Sequence, residues 1–234
     1  MNNQNPGIYE TIRCYQNKIW NFNAHYNRLL KGANYLNLKF DLSTEQLQEL
    51  IEKEITKNQF LESRIRLTLN KAELKIKCTE LKNGPLSNKL VSYKGTRPIT
   101  EIKNNDRLLE NKALAYAHSH SAVDALLIDN QNYITEGSIS NFFIVKNNTL
   151  ITPNTNILKG TTRDIVLKLA KKMQIPVQLQ NIHLNDLKDI QEAFITNAIK
   201  QIVPIFQINQ QKLSINKITS TIQLEFQNMY YKLK

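Results

Sequence analysis

The chain has 234 residues, enough for one large domain or two small ones, and its 41% hydrophobic content supplies a core. No apolar run is long enough to span a bilayer, so a soluble protein without a membrane partner is expected. The formal charge of +11, from 31 Lys and Arg against 20 Asp and Glu, favours anionic partners; with 16 basic residues up to position 100 and 15 beyond it, the excess forms no basic arm, so no nucleic-acid partner is expected.

In chain order, Ile8 to Tyr15 alternates as a strand, Gln16-Asn17-Lys18 turns, and Ile19 to Phe22 returns, which predicts a hairpin. His25 to Leu36 places Leu29, Leu30, Ala33 and Leu36 on one helical face. A second helix starts at Ser43, with Gln46 placed for a capping box and Leu47, Leu50, Ile51 and Ile55 as its buried stripe. Arg64 to Leu69 and Leu74 to Cys78 predict another hairpin. Asn83-Gly84-Pro85 interrupts, a strand near Leu90 to Tyr93 follows, and Thr96-Arg97-Pro98 breaks the pattern again. These signals predict a small N-terminal α+β domain over residues 1–98 and a larger C-terminal domain over 99–234.

The second part opens with a helix from Asp106 to Ser119. Strands are expected at 125–129, 133–136, 141–145 and 150–152, then a helix from Thr162 to Met173, strands at 177–180, 192–196 and 202–208, and a terminal helix carrying Ile218, Ile222, Phe226 and Met229. Strands outnumber helices here, which favours a barrel-like mixed sheet over a doubly wound one. The six glycines make no GxGxxG or Walker loop, so nucleotide-cradling folds are disfavoured. Cys14 and Cys78 provide neither a disulfide framework nor a zinc site. No metal is expected, and with no signal-peptide pattern at the start the expected compartment is the cytoplasm.

Three local features carry chemistry. Gly160-Thr161-Thr162-Arg163 runs into an amphipathic helix, whose start offers N–H and hydroxyl donors to a phosphate; the bland alternative is Thr162 as a plain N-cap with Arg163 solvated. Glu136 ends a strand before small polar residues and can act on a basic nitrogen, or it is a turn glutamate facing water. Lys103 precedes a helix, where a desolvated amine can attack a carbonyl, yet it is one of 24 lysines.

Taken in order, Lys103-Asn-Asn-Asp-Arg107, Asp124 to Asp129, Tyr133-Ile-Thr-Glu136-Gly137, Ser140-Asn141-Phe142, Thr152-Pro153, Gly160 to Arg163 and Thr196-Asn197-Ala198 up to Pro204 resemble the fold-type IV pyridoxal-phosphate enzymes. That family includes branched-chain and D-amino-acid aminotransferases and 4-amino-4-deoxychorismate lyase. Tyr9 to Arg13 and His25-Tyr-Asn-Arg28-Leu29 resemble its usual opening, and the resemblance runs from about residue 7 to about 208. It implies an α+β, two-domain enzyme with pyridoxal 5'-phosphate as cofactor and a homodimeric state.

Residue by residue, the resemblance implies that Lys103 carries the cofactor and shuttles the substrate proton, and that Glu136 pairs with the pyridine nitrogen. Arg28, Thr161 and Thr162 would hold the phosphate, with Asn197 also at the cofactor, and Arg66 and Arg107 would meet substrate carboxylates. Lys112-Ala-Leu-Ala-Tyr116 is a second candidate stretch for the lysine, but Lys103 aligns without a gap and leaves room for a helix and strand before Glu136. Three features depart from the aminotransferases: only Gly7 remains of a Gly-Asp-Gly approach to the first hairpin, position 107 is arginine where a tyrosine is usual, and Asn197-Ala198 stands where branched-chain enzymes carry Gly-Thr. The last two lean toward the lyase, whose substrate is a small anionic amine with two carboxylates, and away from the aminotransferase alternative. A non-enzymatic basic binding protein is the distant alternative.

Overall fold

The computed structural model describes residues 6–81, 87–214 and 217–231; the Asn83-Gly84-Pro85 interruption lies outside them. The described residues form two compact units, one of 6–81 with 101–107, the other of 87–100 with 108–214 and 217–231. This division differs from a single cut after residue 98, and hydrogen bonding explains why. The strand at 89–94 pairs with strands of the larger unit. In contrast, Tyr9 donates its N–H to the carbonyl of Lys103 (2.9 Å) and Asn105 donates to that of Gly7 (2.9 Å), which ties 103–105 to the smaller unit.

The smaller unit is an antiparallel sheet in the order β2-β1-β3-β4 with two helices. Strand β1 (Gly7–Tyr15) pairs along its length with β3 (Glu62–Asn70), which pairs with β4 (Leu74–Glu80). The expected return strand is only two residues, β2 (Lys18–Ile19). Asn21 adopts a left-handed conformation and starts α1 (Phe22–Tyr35) three residues before His25. Helix α2 (Thr44–Asn58) has the expected capping box at Ser43 and Gln46. Its buried stripe is Leu47, Ile51 and Ile55, an i, i+4, i+8 row, and Leu50 lies off that row, 39% exposed.

The larger unit contains two mixed sheets. One has the order β11-β7-β6-β5-β14-β15 and the other β10-β9-β8-β12-β13. Their strands are β5 (Lys89–Lys94), β6 (Asp124–Ile128), β7 (Tyr133–Gly137), β8 (Asn141–Lys146), β9 (Thr149–Thr152), β10 (Val177–Leu179), β11 (Ile182–His183), β12 (Glu192–Asn197), β13 (Gln201–Ile205), β14 (Gln207–Ile208) and β15 (Gln211–Lys212). Parallel pairs β5–β6 and β5–β14 lie beside antiparallel ones, so the sheet is not doubly wound. One core joins the two sheets, with Leu126, Ile128 and Ile134 from the first packed with Phe142, Ile144 and Ile195 from the second.

Helix α3 (Leu108–Ser119) packs Ala113 and Ala117 against Val91, Ala125 and Leu127. Helices α4 (Thr161–Lys172) and α5 (Lys217–Tyr231) pack against each other and near β12. Ile222 and Phe226 of α5 are buried as its spacing predicts, whereas Met229 is exposed. Phe143 and Phe194 stack in parallel across neighbouring strands, with centroids 4.7 Å apart. Among the described residues no helix is long and apolar enough to cross a membrane.

The two residues expected in one stripe of α2 separate in a mutational test. Ile51→Ala is expected to cost about 2–5 kcal/mol because it empties a fully buried site, and Leu50→Ala under about 1 kcal/mol because that side chain stays partly in water. Urea unfolding followed by circular dichroism measures both.

Candidate active site

In the smaller unit the site is built on β1, whose residues 9 and 10 point to opposite faces. Glu10 is 1% exposed, and an ionised carboxylate at such depth needs a partner. Arg28, one helix away on α1, donates Nε to Oε1 (2.6 Å) and Nη2 to Oε2 (2.7 Å), a two-pronged grip. His25, one turn earlier on the same helix face, places Nδ1 2.8 Å from Oε2. Burial pushes the Glu10 carboxyl up. The charge and hydrogen bonds of Arg28, joined by His25, outweigh that and hold it well below the usual carboxylate range. His25 itself is pushed down, first by burial and further by Arg28 and Lys103 against the pull of Glu10, so it is neutral at pH 7 and donates from Nδ1.

On the other face of β1, three cations surround the ring of Tyr9. The guanidinium of Arg66, from β3, lies 3.5 Å from the ring centroid, Lys103 Nζ lies at 4.5 Å and the Arg107 guanidinium at 5.5 Å. Arg66 faces Thr11 on the paired strand, and its Nη1 donates to Thr11 Oγ1 at 3.4 Å. The pairing of 103–105 with β1 is what delivers Lys103 and Arg107 to this ring. Lys112, by contrast, is exposed on α3. The structure therefore brings Lys103, Arg66 and Arg107 together around Tyr9, a residue that the sequence placed in a motif without a role.

In the larger unit, Glu136 is 2% exposed and does not face water as the bland alternative had it. A β-bulge puts it there: between the pairs Leu126–Gly137 and Ile128–Ile134, Leu127 alone opposes both Thr135 and Glu136. Leu158 donates its N–H to Oε1 at 3.1 Å and Asn141 Nδ2 donates to Oε2 at 3.3 Å. Arg97 Nε lies 2.8 Å from Oε1. The N–H is not aligned for a hydrogen bond, so this is a close ion pair.

The segment after Glu136 is held by Asp124. Its Oδ1 accepts from the N–H and hydroxyl of Ser138 (3.0 and 2.5 Å), and its Oδ2 accepts from the Ser140 hydroxyl (2.6 Å). Burial pushes this carboxyl up, and the two serine hydrogen bonds only partly offset the rise. Gly137 is required between them, because a Cβ at that position collides with the Ser140 hydroxyl and the Asp124 carboxylate.

Helix α4 begins differently from the plain N-cap alternative. Gly160 is the N-cap, no side chain caps the first turn, and Thr161 and Thr162 are both buried within it. Arg163 is 2% exposed and not solvated, because Nη2 donates to the Pro153 carbonyl at 3.0 Å. Asn197 spends its side-chain oxygen on its own turn, accepting from the N–H groups of Ile199 (3.0 Å) and Lys200 (2.7 Å).

Each unit, taken by itself, carries groups of the kind an anionic, heteroaromatic cofactor calls for. The larger has a helix start with no side-chain cap, two buried threonines and a buried carboxylate. The smaller has a lysine beside an aromatic ring and two guanidiniums. The profile of the amino-transferase class IV family matches residues 7–208, and the chain belongs to that family. It is a fold-type IV enzyme that depends on pyridoxal phosphate.

D-alanine aminotransferase of Listeria monocytogenes is 29% identical over 235 residues, 90% of this chain and 81% of that protein. A Methanocaldococcus jannaschii protein provisionally named as a branched-chain-amino-acid aminotransferase is 28% identical over 256 residues, 97% and 88% of the two chains. Among solved structures, a Legionella pneumophila protein provisionally named as a 4-amino-4-deoxychorismate lyase superposes with a TM-score of 0.89 at 22% identity, covering 95% of this chain and 90% of that one. The branched-chain amino acid aminotransferase of Escherichia coli does so at 0.85 and 23%, covering 96% and 84%. At these identities the structural likeness concerns the fold.

Several polar residues of the site had no signal in the sequence beyond membership of a motif or a break. They are Tyr9, His25, Arg97, Asp124 and the buried state of Arg163. A strand pattern with a glutamate at an inward position, as in β1, is the one sign that reading alone offered for Glu10.

Glu10 yields a pH prediction. Its depressed folded value gives stability that is complete above the ordinary carboxylate value of 4.5 and is lost as pH falls toward the folded value. Glu10→Gln is expected to lower the melting temperature at pH 7, with a loss of about 3–5 kcal/mol from the broken buried pair. The gap to the wild type should narrow as the pH drops from 4.5 to 3, read by thermal melting across that range.

Proposed function

We propose that the chain is a lyase of the 4-amino-4-deoxychorismate type, releasing pyruvate and 4-aminobenzoate, a step toward folate. The observation that carries this reading is the cluster of Arg66, Arg107 and Lys103 around Tyr9. A branched-chain amino acid presents an apolar side chain, which gains nothing from two guanidiniums. A substrate with two carboxylates places a second negative charge that arginine forks are suited to receive. Burial, with the nearby charge of Arg107, lowers the proton affinity of Arg66, against the pull of Tyr9, and an anionic carboxylate beside it favours the charged guanidinium.

Each residue has a role in this reading. Lys103 anchors the cofactor and moves the substrate proton through Nζ. Arg28, held by Glu10, is assigned to the cofactor phosphate, and so are Thr161 and Thr162 in the first turn of α4. Glu136 keeps a proton at the ring nitrogen, and Asn197 shapes the turn beside the cofactor. Pyridoxal phosphate supplies the electron sink when bound. Arg66 and Arg107 orient the substrate carboxylates, so that the ring proton faces the lysine amine. The active form is a homodimer in the cytoplasm.

The second reading is a branched-chain or D-amino-acid aminotransferase, favoured by the names of the relatives at 28–29% identity. Incubation of the holoenzyme with 4-amino-4-deoxychorismate is expected to yield 4-aminobenzoate and pyruvate in equal amounts. Amino donors with 2-oxoglutarate should turn over far more slowly. Rapid amino transfer without 4-aminobenzoate rejects the lyase.

Two further outcomes follow for the same site. Lys103→Ala is expected to abolish the visible absorption of the bound cofactor and reduce turnover by at least a thousandfold, while Lys112→Ala leaves both intact. Arg66→Gln and Arg107→Gln should each raise KM about tenfold or more, the loss of a charged hydrogen bond worth about 1.5–3 kcal/mol. Steady-state kinetics reads the change.

A further inference from the structure

The side chain of Arg97 is 6% exposed and lies between two carboxylates that are themselves buried, Glu136 at 2% and Glu110 at 5%. Its Nε is 2.8 Å from Glu136 Oε1, its Nη1 is 3.4 Å from Glu110 Oε1, and its Nη2 donates to the Ser138 carbonyl at 3.2 Å. The guanidinium thus touches the end of β7, the bend after it and the first turn of α3. Gly95 makes this reach possible. It has φ of +145°, and a Cβ there would press into Leu109, so the chain turns off β5 at glycine and carries Arg97 inward.

Hydrogen-bond satisfaction alone does not explain the contact. Leu158 N–H and Asn141 Nδ2 already supply a hydrogen bond to each oxygen of Glu136. The Arg97 Nε–H is off the line to the carboxylate, so what it contributes is a charge at close range. Arg163 also bears on Glu136 electrostatically, but its Nη2 is committed to Pro153. Close contact with a guanidinium therefore falls to Arg97, whose charge is divided by Glu110. A carboxylate held this way is fixed in direction, so that its second oxygen is presented in one orientation.

We infer that Arg97 is a positioning residue for the reaction: its guanidinium, shared between Glu136 and Glu110, sets where the Glu136 carboxylate points and how firmly it holds the cofactor's ring nitrogen. The inference rests on the reading that Glu136 faces that nitrogen. Lysine is a poor substitute, because a single ammonium lacks the fork that meets Glu136, Glu110 and the Ser138 carbonyl at once.

The test compares Arg97→Gln, Arg97→Lys, Glu110→Gln and Glu136→Gln as holoenzymes, with turnover of the substrate identified for the wild type, the position of the visible cofactor band, and cofactor affinity from titration of the apoprotein. Arg97→Gln is expected to lower kcat at least tenfold with KM within threefold, to weaken cofactor binding at least fivefold and to displace the band. Arg97→Lys should recover part of each. Glu110→Gln leaves the guanidinium on Glu136 and is expected to displace the band with less than threefold loss of kcat.

Should Arg97→Gln not fold, Arg97→Lys is expected to lose kcat at least threefold and to displace the band. The inference is overturned if folded Arg97 variants lose only melting temperature and keep wild-type kcat, affinity and band position while Glu136→Gln is impaired. If Glu136→Gln also matches the wild type, the assignment of Glu136 to the ring nitrogen fails, and the role of Arg97 fails with it.

Discussion

A carboxylate taken out of water must be paired, and both units of this protein are arranged around that constraint. Glu10 is gripped through both oxygens by Arg28, with a neutral histidine completing its shell. Glu136 is met by a backbone N–H, a side-chain amide and the guanidinium of Arg97. In each case the arginine comes from a different element than the acid. The pairing therefore fixes a strand against its neighbour as well as neutralising a charge. An unpaired acid at either position costs several kcal/mol, a large part of the net stability of an ordinary domain.

The same pairing fixes side chains in direction. Arg28 loses rotational freedom to the two-pronged contact with Glu10. The bulge in β7 aims Glu136, Asp124 ties down the serines that follow it, and Gly137 lets the two approach. Around Tyr9 an aromatic ring takes the place of the acid: the side chains of Arg66, Lys103 and Arg107 gather on it. The charge excess of the chain, diffuse along the sequence, is thus concentrated at least at this one place.

Much of the fold was legible. Alternation marked β1, β3 and β4, the Ser43–Gln46 box marked the start of α2, and the strand-rich second half pointed to a mixed sheet. The failures were local and have physical causes. The return strand after the first turn shrank because Asn21 takes a left-handed conformation and starts a helix. Leu50 was counted in the stripe although it lies off the i, i+4 row that packs. The boundary after residue 98 overlooked strand pairing, which ties 103–105 to β1.

At the site, the order of short motifs identified the family and with it the residue types that the chemistry needs. Motif order and hydrophobic period are local properties of a chain, and the sequence by itself determines them. Which acid meets which arginine is not local. Arg97 read as a break in the pattern, and Arg163 as a solvated neighbour of a cap, because their partners lie on elements distant in the sequence. Only the tertiary structure decided that both are buried and that Glu136 faces a guanidinium, since those contacts exist once the sheets have closed on a common core and water has been excluded.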